Sequence, residues 1–410
     1  MFKFIRKNAS FAQLASINLF SKTGDRLFYT AMLTLAASLP EANLAVMIVS
    51  ISETLPVLLS FLLGSLADRR NNKIELLINN SFFRTFLYLF IGLLFNYSTT
   101  FPLVLCIAAL NFVSDLSGNY SSALVAPFSK LLVQPKDMQR AQGIISITAQ
   151  LVNIVATFAG SILLTFFIAG TIAYINAMLF FIVGISYIFI RSKLLVVEKD
   201  LPTITEEKTT TENIKNNFKT LYQDKFILND LCQLSLLNGV FGGLTPIFVI
   251  FIQNDNVSLF LSRPLTISLL SGLITIFMMV GNSISSNLFK NTPTSTLNST
   301  ANLFIGIVGV GFILNNLYIV LISSSFIALL LGIVSPRFTA KIVNNYPTEH
   351  LGGIVTTVNS LLVLTPPITS FIFPLFANIG ETFAYLCFLF YGLLLILMSF
   401  LILKRKKAFR

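Results

Sequence analysis

The chain has no tryptophan, three cysteines and one histidine, and only 11% of its 410 residues are charged. Soluble domains carry roughly a quarter of charged residues, so this sequence cannot clothe a globular surface facing water. Cys106, Cys232 and Cys387 lie far apart inside apolar stretches, and His350 has no second imidazole to work with. Neither a disulfide framework nor a metal centre of thiols and imidazoles is expected, and the cysteines read as packing residues. The absence of a Gly-x-x-x-x-Gly-Lys-Ser/Thr phosphate loop excludes an ATP-driven motor on this chain. The net charge of +11 does not argue for nucleic acid, because the lysines and arginines are scattered between apolar runs rather than gathered on one solvated face.

What the sequence has in abundance is apolar length: 55% of it is hydrophobic, and 40 positions are phenylalanine. About 20 mostly apolar residues carry a helix across a bilayer. Runs of that kind recur at 11–38, 43–66, 74–96, 101–125, 141–168, 170–191, 226–253, 264–288, 297–314, 317–337, 351–377 and 381–403. They predict an all-α integral membrane protein of twelve transmembrane helices, embedded in the lipid bilayer, with no length left for an enzyme domain. The first run is too long for a signal-peptide core and no small-residue cleavage site follows it, so it reads as a retained span.

Lysine and arginine stay on the cytoplasmic side. With both termini cytoplasmic, all but four of the 28 basic residues fall in inside segments; Lys22, Arg26 and Arg84 lie within spans and Arg263 in an outside loop. Tyr97, Tyr174, Tyr318 and Tyr385 fall near the expected outer ends, where an amphipathic ring prefers the headgroup level.

A repeat organises the spans. Phe128-Ser129-Lys130-Leu131-Leu132-Val133-Gln134, continuing through Gly143-Ile144-Ile145-Ser146, has a counterpart 210 residues on in Phe338-Thr339-Ala340-Lys341-Ile342-Val343-Asn344 and Gly353-Ile354-Val355-Thr356. Each copy leads from the fourth span of its half into the fifth. The chain therefore divides into two pseudo-symmetric six-helix halves, 1–192 and 225–410, joined by a cytoplasmic linker, 193–224. The linker is charged and threonine-rich from Thr203 to Thr211, and its Ile214, Phe218, Leu221 and Tyr222 share a helical spacing suited to the inner membrane surface. Parallel repeats with substrate held between halves near mid-membrane are one plan for a secondary transporter.

The strongest local motif follows the second span: Gly64-Ser65-Leu66-Ala67-Asp68-Arg69-Arg70-Asn71-Asn72-Lys73. It resembles the loop signature of the major facilitator superfamily, Gly-x-Leu-Ala-Asp-Arg-x-Gly-Arg-Lys, at the position where that family carries it. In that pattern Gly64 permits close helix approach, Asp68 accepts from a neighbouring helix N-terminus, with Leu66 between these two, and Arg69 and Lys73 hold the loop inside. The pattern is departed from at Asn71 and Asn72, and Ser285 stands where the second half would carry the aspartate. Length, loop signature and short periphery resemble the bacterial drug-exporter branches, especially the one containing macrolide efflux proteins. That resemblance implies a multi-pass protein of a bacterial cell membrane, working as a monomer. Its fifth span, at Ala156–Leu163, keeps little of the glycine and proline signature of proton antiporters, and the fourth span has Asp115 where such antiporters often have arginine.

Charges sit where charges are expensive. Lys22, Asp25 and Arg26 lie in the first span, Glu53 in the second, Arg84 in the third and Asp115 in the fourth. An ionised group at mid-membrane costs ~2.5–3.5 kcal/mol on insertion scales unless it meets a partner or a cavity. Their formal charges cancel, so a structural ion network is one reading, with Arg26 and Lys22 compensating Asp25. The functional reading makes Asp25, Glu53 or Asp115 the site of a coupled proton, Asp115 and Glu53 ahead of Asp25, with Arg84 as a movable counter-charge. Burial favours a neutral carboxyl and a nearby guanidinium favours the ionised one, so making and breaking such a pair loads and releases a proton. In the second half Asp230 reads as a helix-end carboxylate. The breakers Gly239, Gly242, Gly243 and Pro246, then Pro366, Pro367 and Pro374, mark hinges, cavity walls or close helix packing.

The expected function is secondary active transport by alternating access, exporting small amphipathic or lipophilic molecules or drugs against a proton gradient, with no cofactor and no metal. The mid-membrane carboxylates would attract a cation. An importer, a lipid or peptide exporter of the same fold, and a non-transporting receptor or immunity protein are the alternatives.

Overall fold

The structure is a computed structural model, and it describes residues 2–408 apart from 38, 41, 98–99, 168, 202–209, 255, 262, 286–288, 290–291 and 378–379. In a bilayer every backbone polar group must be satisfied internally, and an apolar chain does this by forming helices. In chain order these are α1 (Phe2–Lys7), α2 (Ala9–Ala37), α3 (Ala42–Leu58), α4 (Ser60–Asp68), α5 (Lys73–Leu94), α6 (Phe101–Leu132), α7 (Met138–Phe166) and α8 (Ala169–Glu198). There follow α9 (Thr210–Gln223), α10 (Lys225–Phe251), α11 (Arg263–Ile284), α12 (Thr294–Ile313), α13 (Leu317–Asn345), α14 (Leu351–Ala377) and α15 (Glu381–Ala408).

Helix occupies each of the expected apolar stretches. Among the described residues eight helices are long and apolar enough to cross a membrane, or nine if the bent pair α3 and α4 is taken as one span. α2 is apolar too but carries three charges at its middle. The second stretch is not continuous: it bends by 45° between Leu58 and Ser60. Pro56 inside α3 lacks the N–H of the normal ladder, and a proline is the usual cause of a sharp bend. The two repeat copies share a detail beyond sequence. One turn of 3-10 helix, Pro135–Asp137 in the first and Thr348–His350 in the second, leads into α7 and α14 respectively.

Helix ends follow local chemistry. Asp224 caps α10 by accepting from Phe226 N (3.1 Å) and Ile227 N (3.0 Å). Between α12 and α13, Asn315 takes the left-handed conformation at φ 53°, and Asn316 N donates back to Gly311 O at 2.9 Å.

The chain forms two compact units. Unit 1 comprises 1–138, 148–219 and 342–360. Here α5 packs along α8 and α6, and α2 along α8, α3 and α6. Unit 2 comprises 139–147, 220–341 and 361–410. Its α12 lies along α15 through glycines: a Cβ on Gly392 would stand 2.8 Å from Gly306 N, and one on Gly309 2.7 Å from Leu389 Cα. The rings of Phe251, Phe312, Tyr385 and Phe388 fill the space beside them. Tyr385 is thus a buried core ring, not the interfacial anchor expected of it; Tyr97, Tyr174 and Tyr318 are exposed.

One further expectation needs correction. Cys106 and Cys232 are exposed on the helix surface, so they do not pack the interior. In α9 Leu221 is buried with Asn213 and Asn217, while Phe218 and Tyr222 are exposed. The threonine-rich stretch 203–209, Ser286 and the side chain of Pro374 lie outside the described residues.

The glycines of α10 permit close approach to α14. A Cβ on Gly242 would sit 2.6 Å from Pro366 Cα and 2.7 Å from its carbonyl carbon, and one on Gly239 2.6 Å from Thr365 Cγ2. Gly272 of α11, by contrast, has nothing within 4 Å of such an atom. Overpacking costs ~1–3 kcal/mol where backbone must move. Gly242→Val is therefore expected to lower the melting temperature of the purified protein and its monodisperse yield, and Gly272→Val to leave both unchanged. Equal behaviour of the two variants would mean that α10 and α14 are not in backbone contact.

Candidate functional site

Arg84 stands at the middle of α5 and is almost wholly buried, at 1% exposure. An unpaired guanidinium in that position would be prohibitive, and three neighbouring helices supply what it needs. Its Nη2 donates to Asp25 Oδ1 of α2 in an ion pair, its Nη1 to Ser21 Oγ of the same helix at 3.1 Å, and its Nε to Ser114 Oγ of α6 at 3.0 Å. The Phe180 ring of α8 lies under the guanidinium carbon at 3.8 Å, a cation–π contact strengthened by the dry surroundings. Gly118, one turn beyond Ser114, leaves the room: a Cβ there would meet Arg84 Nη1 at 3.0 Å.

A second chain of hydrogen bonds runs beside it. Tyr88, one turn on from Arg84, stacks on Phe180 with centroids 5.3 Å apart and donates its hydroxyl to Asn111 Oδ1 at 2.8 Å. Asn111 Nδ2 donates in turn to Asp115 Oδ2, also at 2.8 Å. Asp115 is buried and, among the described residues, forms no salt bridge. The remaining pair is looser: Arg26 Nη1 lies 3.7 Å from Glu53 Oε1, with both side chains partly exposed. The pairing therefore differs from the sequence reading. Of the three carboxyls open to Arg84 the structure gives it Asp25, and Arg26 meets Glu53 rather than the adjacent Asp25. Lys22 forms no ion pair among the described residues and is exposed.

The loop signature builds a second constellation within unit 1. Asp68, at the end of α4, is 2% exposed and accepts from Gly352 N at 2.9 Å with one oxygen and from Gly353 N at 2.7 Å with the other. These are orphan donors of the first turn of α14, where the helix dipole also favours an anion. Lys73 Nζ ties the loop back on itself through Ala67 O at 2.6 Å. Gly64 is the approach point: a Cβ there would overlap Thr356 Oγ1 and stand 2.7 Å from Gly352 O. Ser60 Oγ bonds Thr356 O at 3.2 Å and Ser360 Oγ at 3.1 Å along the same seam. Asn217 of α9 reaches the seam too, donating to Ser65 Oγ at 3.2 Å, and Phe218 sets its ring edge against Phe61. Leu66, Arg69 and Arg70 are exposed, and Glu198 Oε1 accepts from Ile74 N at 3.1 Å to cap α5.

In unit 2 the seam is built without an acid. Ser285 O accepts from Arg337 Nη2 at 2.9 Å, and Arg337 Nη1 donates to Thr292 O at 2.9 Å. Gln139, at the start of α7, also donates to Ser285 O. Asp230 is buried and takes Lys341 Nζ at 2.9 Å, an interhelical pair rather than a helix-end carboxylate.

The sequence matches the family model described as Major Facilitator Superfamily over residues 14–365, most of the chain. The chain belongs to that superfamily. Its membership makes it a secondary transporter of multi-pass membrane type and not an enzyme. No curated protein matches the chain by sequence. Solved structures match in fold. A bacterial homologue of the iron transporter ferroportin in an outward-facing state has a TM-score of 0.69 at 14% identity, over 95% of this chain and 98% of that one. The human organic anion transporter MFSD10 gives 0.69 at 11% identity over 95% and 99%. The E. coli fucose:proton symporter FucP gives 0.64 at 10% identity over 95% and 97%. At such identities these likenesses speak for the major facilitator fold alone.

Sequence reasoning found the charges and missed the neutral groups that hold them: Ser21, Ser114, Tyr88, Asn111 and Phe180. Two of them carried a signal, since Tyr88 follows Arg84 and Asn111 precedes Asp115 by four residues, one helical turn. Asn217 was hidden in a linker read for its apolar residues only.

Breaking a buried pair by removing one partner typically costs ~3–5 kcal/mol. Arg84→Gln alone is expected to reduce folded protein in the membrane sharply, and Asp25→Asn with Arg84→Gln to recover most of it. Recovery with Asp115→Asn instead would reassign the partner. Asp68→Asn has only one accepting oxygen and leaves an N–H of α14 unmet, at ~1–3 kcal/mol. Its melting temperature should fall while membrane abundance holds; an unchanged melting temperature would mean that the cap is not formed in the membrane.

Proposed function

We propose that this major facilitator protein exports small amphipathic molecules from a bacterial cell, as a monomer of twelve spans with both termini cytoplasmic, against proton entry. The observation that carries the coupling is the contrast between two carboxyls on the same buried cluster. Asp25 is held by a guanidinium, whereas Asp115 has an amide for its partner. A carboxyl bonded to a neutral amide away from water gains little from ionising, while one facing a guanidinium gains much. A shift of Arg84 from Asp25 towards Asp115 would exchange these conditions and pass a proton between them. Asp115 is the coupling carboxyl in this reading, with Glu53 second because Arg26 already attends it. The Asp68 cap on α14 supplies the cytoplasmic gate that must open once per cycle.

The test uses protein reconstituted in liposomes with a pH dye inside and a panel of lipophilic cations, anions and neutral amphipaths outside. The wild type should move protons only when a transported member is present, and should accumulate that member uphill. Asp115→Asn should keep downhill exchange and lose both proton movement and accumulation. Uphill accumulation by that variant at the wild-type rate would place the coupling elsewhere, and flux without proton movement would remove the proton altogether.

A further inference from the structure

The three basic groups of the cluster are unequally matched. Arg84 has Asp25, two serine hydroxyls and an aromatic face. Arg26 has Glu53 at the long distance of 3.7 Å, and its Nε is buried with no hydrogen-bond partner. Lys22 has neither an ion pair nor a hydrogen bond among the described residues, yet it is exposed at the middle of a 29-residue helix. The acid nearest to it in sequence, Asp25 one turn away, is committed to Arg84.

The direction in which Lys22 is exposed follows from helical geometry. Asn18, Lys22, Arg26 and Tyr29 fall on one stripe of α2 at helical spacing. The stripe is polar along its length and only partly covered, whereas Leu14, Ile17, Leu27, Phe28, Ala31 and Met32 bury the faces beside it. Phe20, two residues before Lys22, points nearly the opposite way and is 55% exposed, as a lipid-facing ring would be. An ammonium turned to hydrocarbon at that depth is strongly disfavoured, so the stripe fronts water.

We infer that Lys22, assisted by Arg26, is an anion subsite that takes a carboxylate, sulfonate or phosphate group of the transported molecule. The inference rests on the transport reading above and reverses the charge preference expected from the carboxylates alone. Asp25 and Glu53 are answered by arginines and Asp115 by the Asn111 amide, whereas among the described residues Lys22 has neither an ion pair nor a hydrogen bond. The Tyr29 ring, 5.1 Å from the Arg26 guanidinium carbon, extends the stripe with an aromatic surface for the apolar body of such a ligand.

Three probes of one shape separate charge from hydrophobicity: naphthalene-2-sulfonate, naphthalene-2-yl-trimethylammonium and naphthalene-2-methanol. The chain has no tryptophan and adds no indole signal of its own to the naphthalene fluorescence. Binding is measured by anisotropy on full-length protein in phosphatidylcholine nanodiscs, and flux of the same probes in liposomes. The sulfonate should bind best; Lys22→Gln should weaken it about tenfold and Lys22→Arg restore it, with the alcohol unaffected by either. Lys22 forms no ion pair or hydrogen bond among the described residues, so neither variant removes a bonded partner, and melting temperature serves as the folding control. Competition by phosphatidylglycerol would identify a lipid headgroup as the source of the anion and still support the subsite. Equal or tighter binding of the ammonium, no binding of the sulfonate, or indifference of Lys22→Gln overturns it. Sulfonate binding without flux of any probe keeps the subsite and overturns the transport reading instead.

Discussion

A guanidinium at the centre of an apolar bundle has to be housed, and housing Arg84 constrains four helices at once. Water's hydrogen bonds are replaced by fixed ones that the guanidinium donates to Ser21, Ser114 and Asp25, and the open face of the ion is covered by Phe180. Each of α2, α6 and α8 contributes at least one of these groups to the ion carried by α5, so the rotation of the four helices about their own axes and their relative heights are set together. Transferring an ion from water to such surroundings is costly, and an imperfect set of partners does not recover that cost. The packing of unit 1 is in this sense subordinate to one side chain. The Leu, Ile and Phe around it fill space, but the polar contacts decide the register.

The same arrangement leaves Asp115 in an unusual position. It lies one residue after Ser114, on the helix that serves Arg84, yet its bond is to Asn111, whose own oxygen is fixed by the Tyr88 hydroxyl. Tyr88 and Arg84 share Phe180, one by stacking and the other by cation–π contact. Moving the guanidinium away from Asp25 therefore disturbs the ring that orients the second network. The two networks are mechanically joined through an aromatic plane.

The helical character, the positions of the helices and the cluster's charged members were all legible, because apolar length and intramembrane charge are one-dimensional signals. What the sequence did not reveal was pairing. Arg26 sits beside Asp25 in the chain, but successive residues on a helix diverge by about 100°, and the actual partner of Asp25 comes from α5. The bend after Pro56 was also unread, since an apolar run says nothing of its straightness. Part of the linker went unread for a related reason: α9 hides asparagines, and a search for apolar spacing finds Phe218 and Tyr222 while passing over Asn213 and Asn217. Cys106 and Cys232 show the converse, that an apolar neighbourhood in sequence does not mean a buried place in the fold when the outside is lipid.

The cap on α14 has a consequence in how the helix is allowed to move. Asp68 holds two consecutive amides, one with each carboxylate oxygen. A slide of α14 by one residue, or a roll by a fraction of a turn, loses both bonds together, because the fork matches only one register. Small thermal displacements are resisted and large ones meet no intermediate holding point. The contact therefore behaves as a detent, with engaged and released as its two positions, and the time spent engaged is governed by the escape of a single side chain.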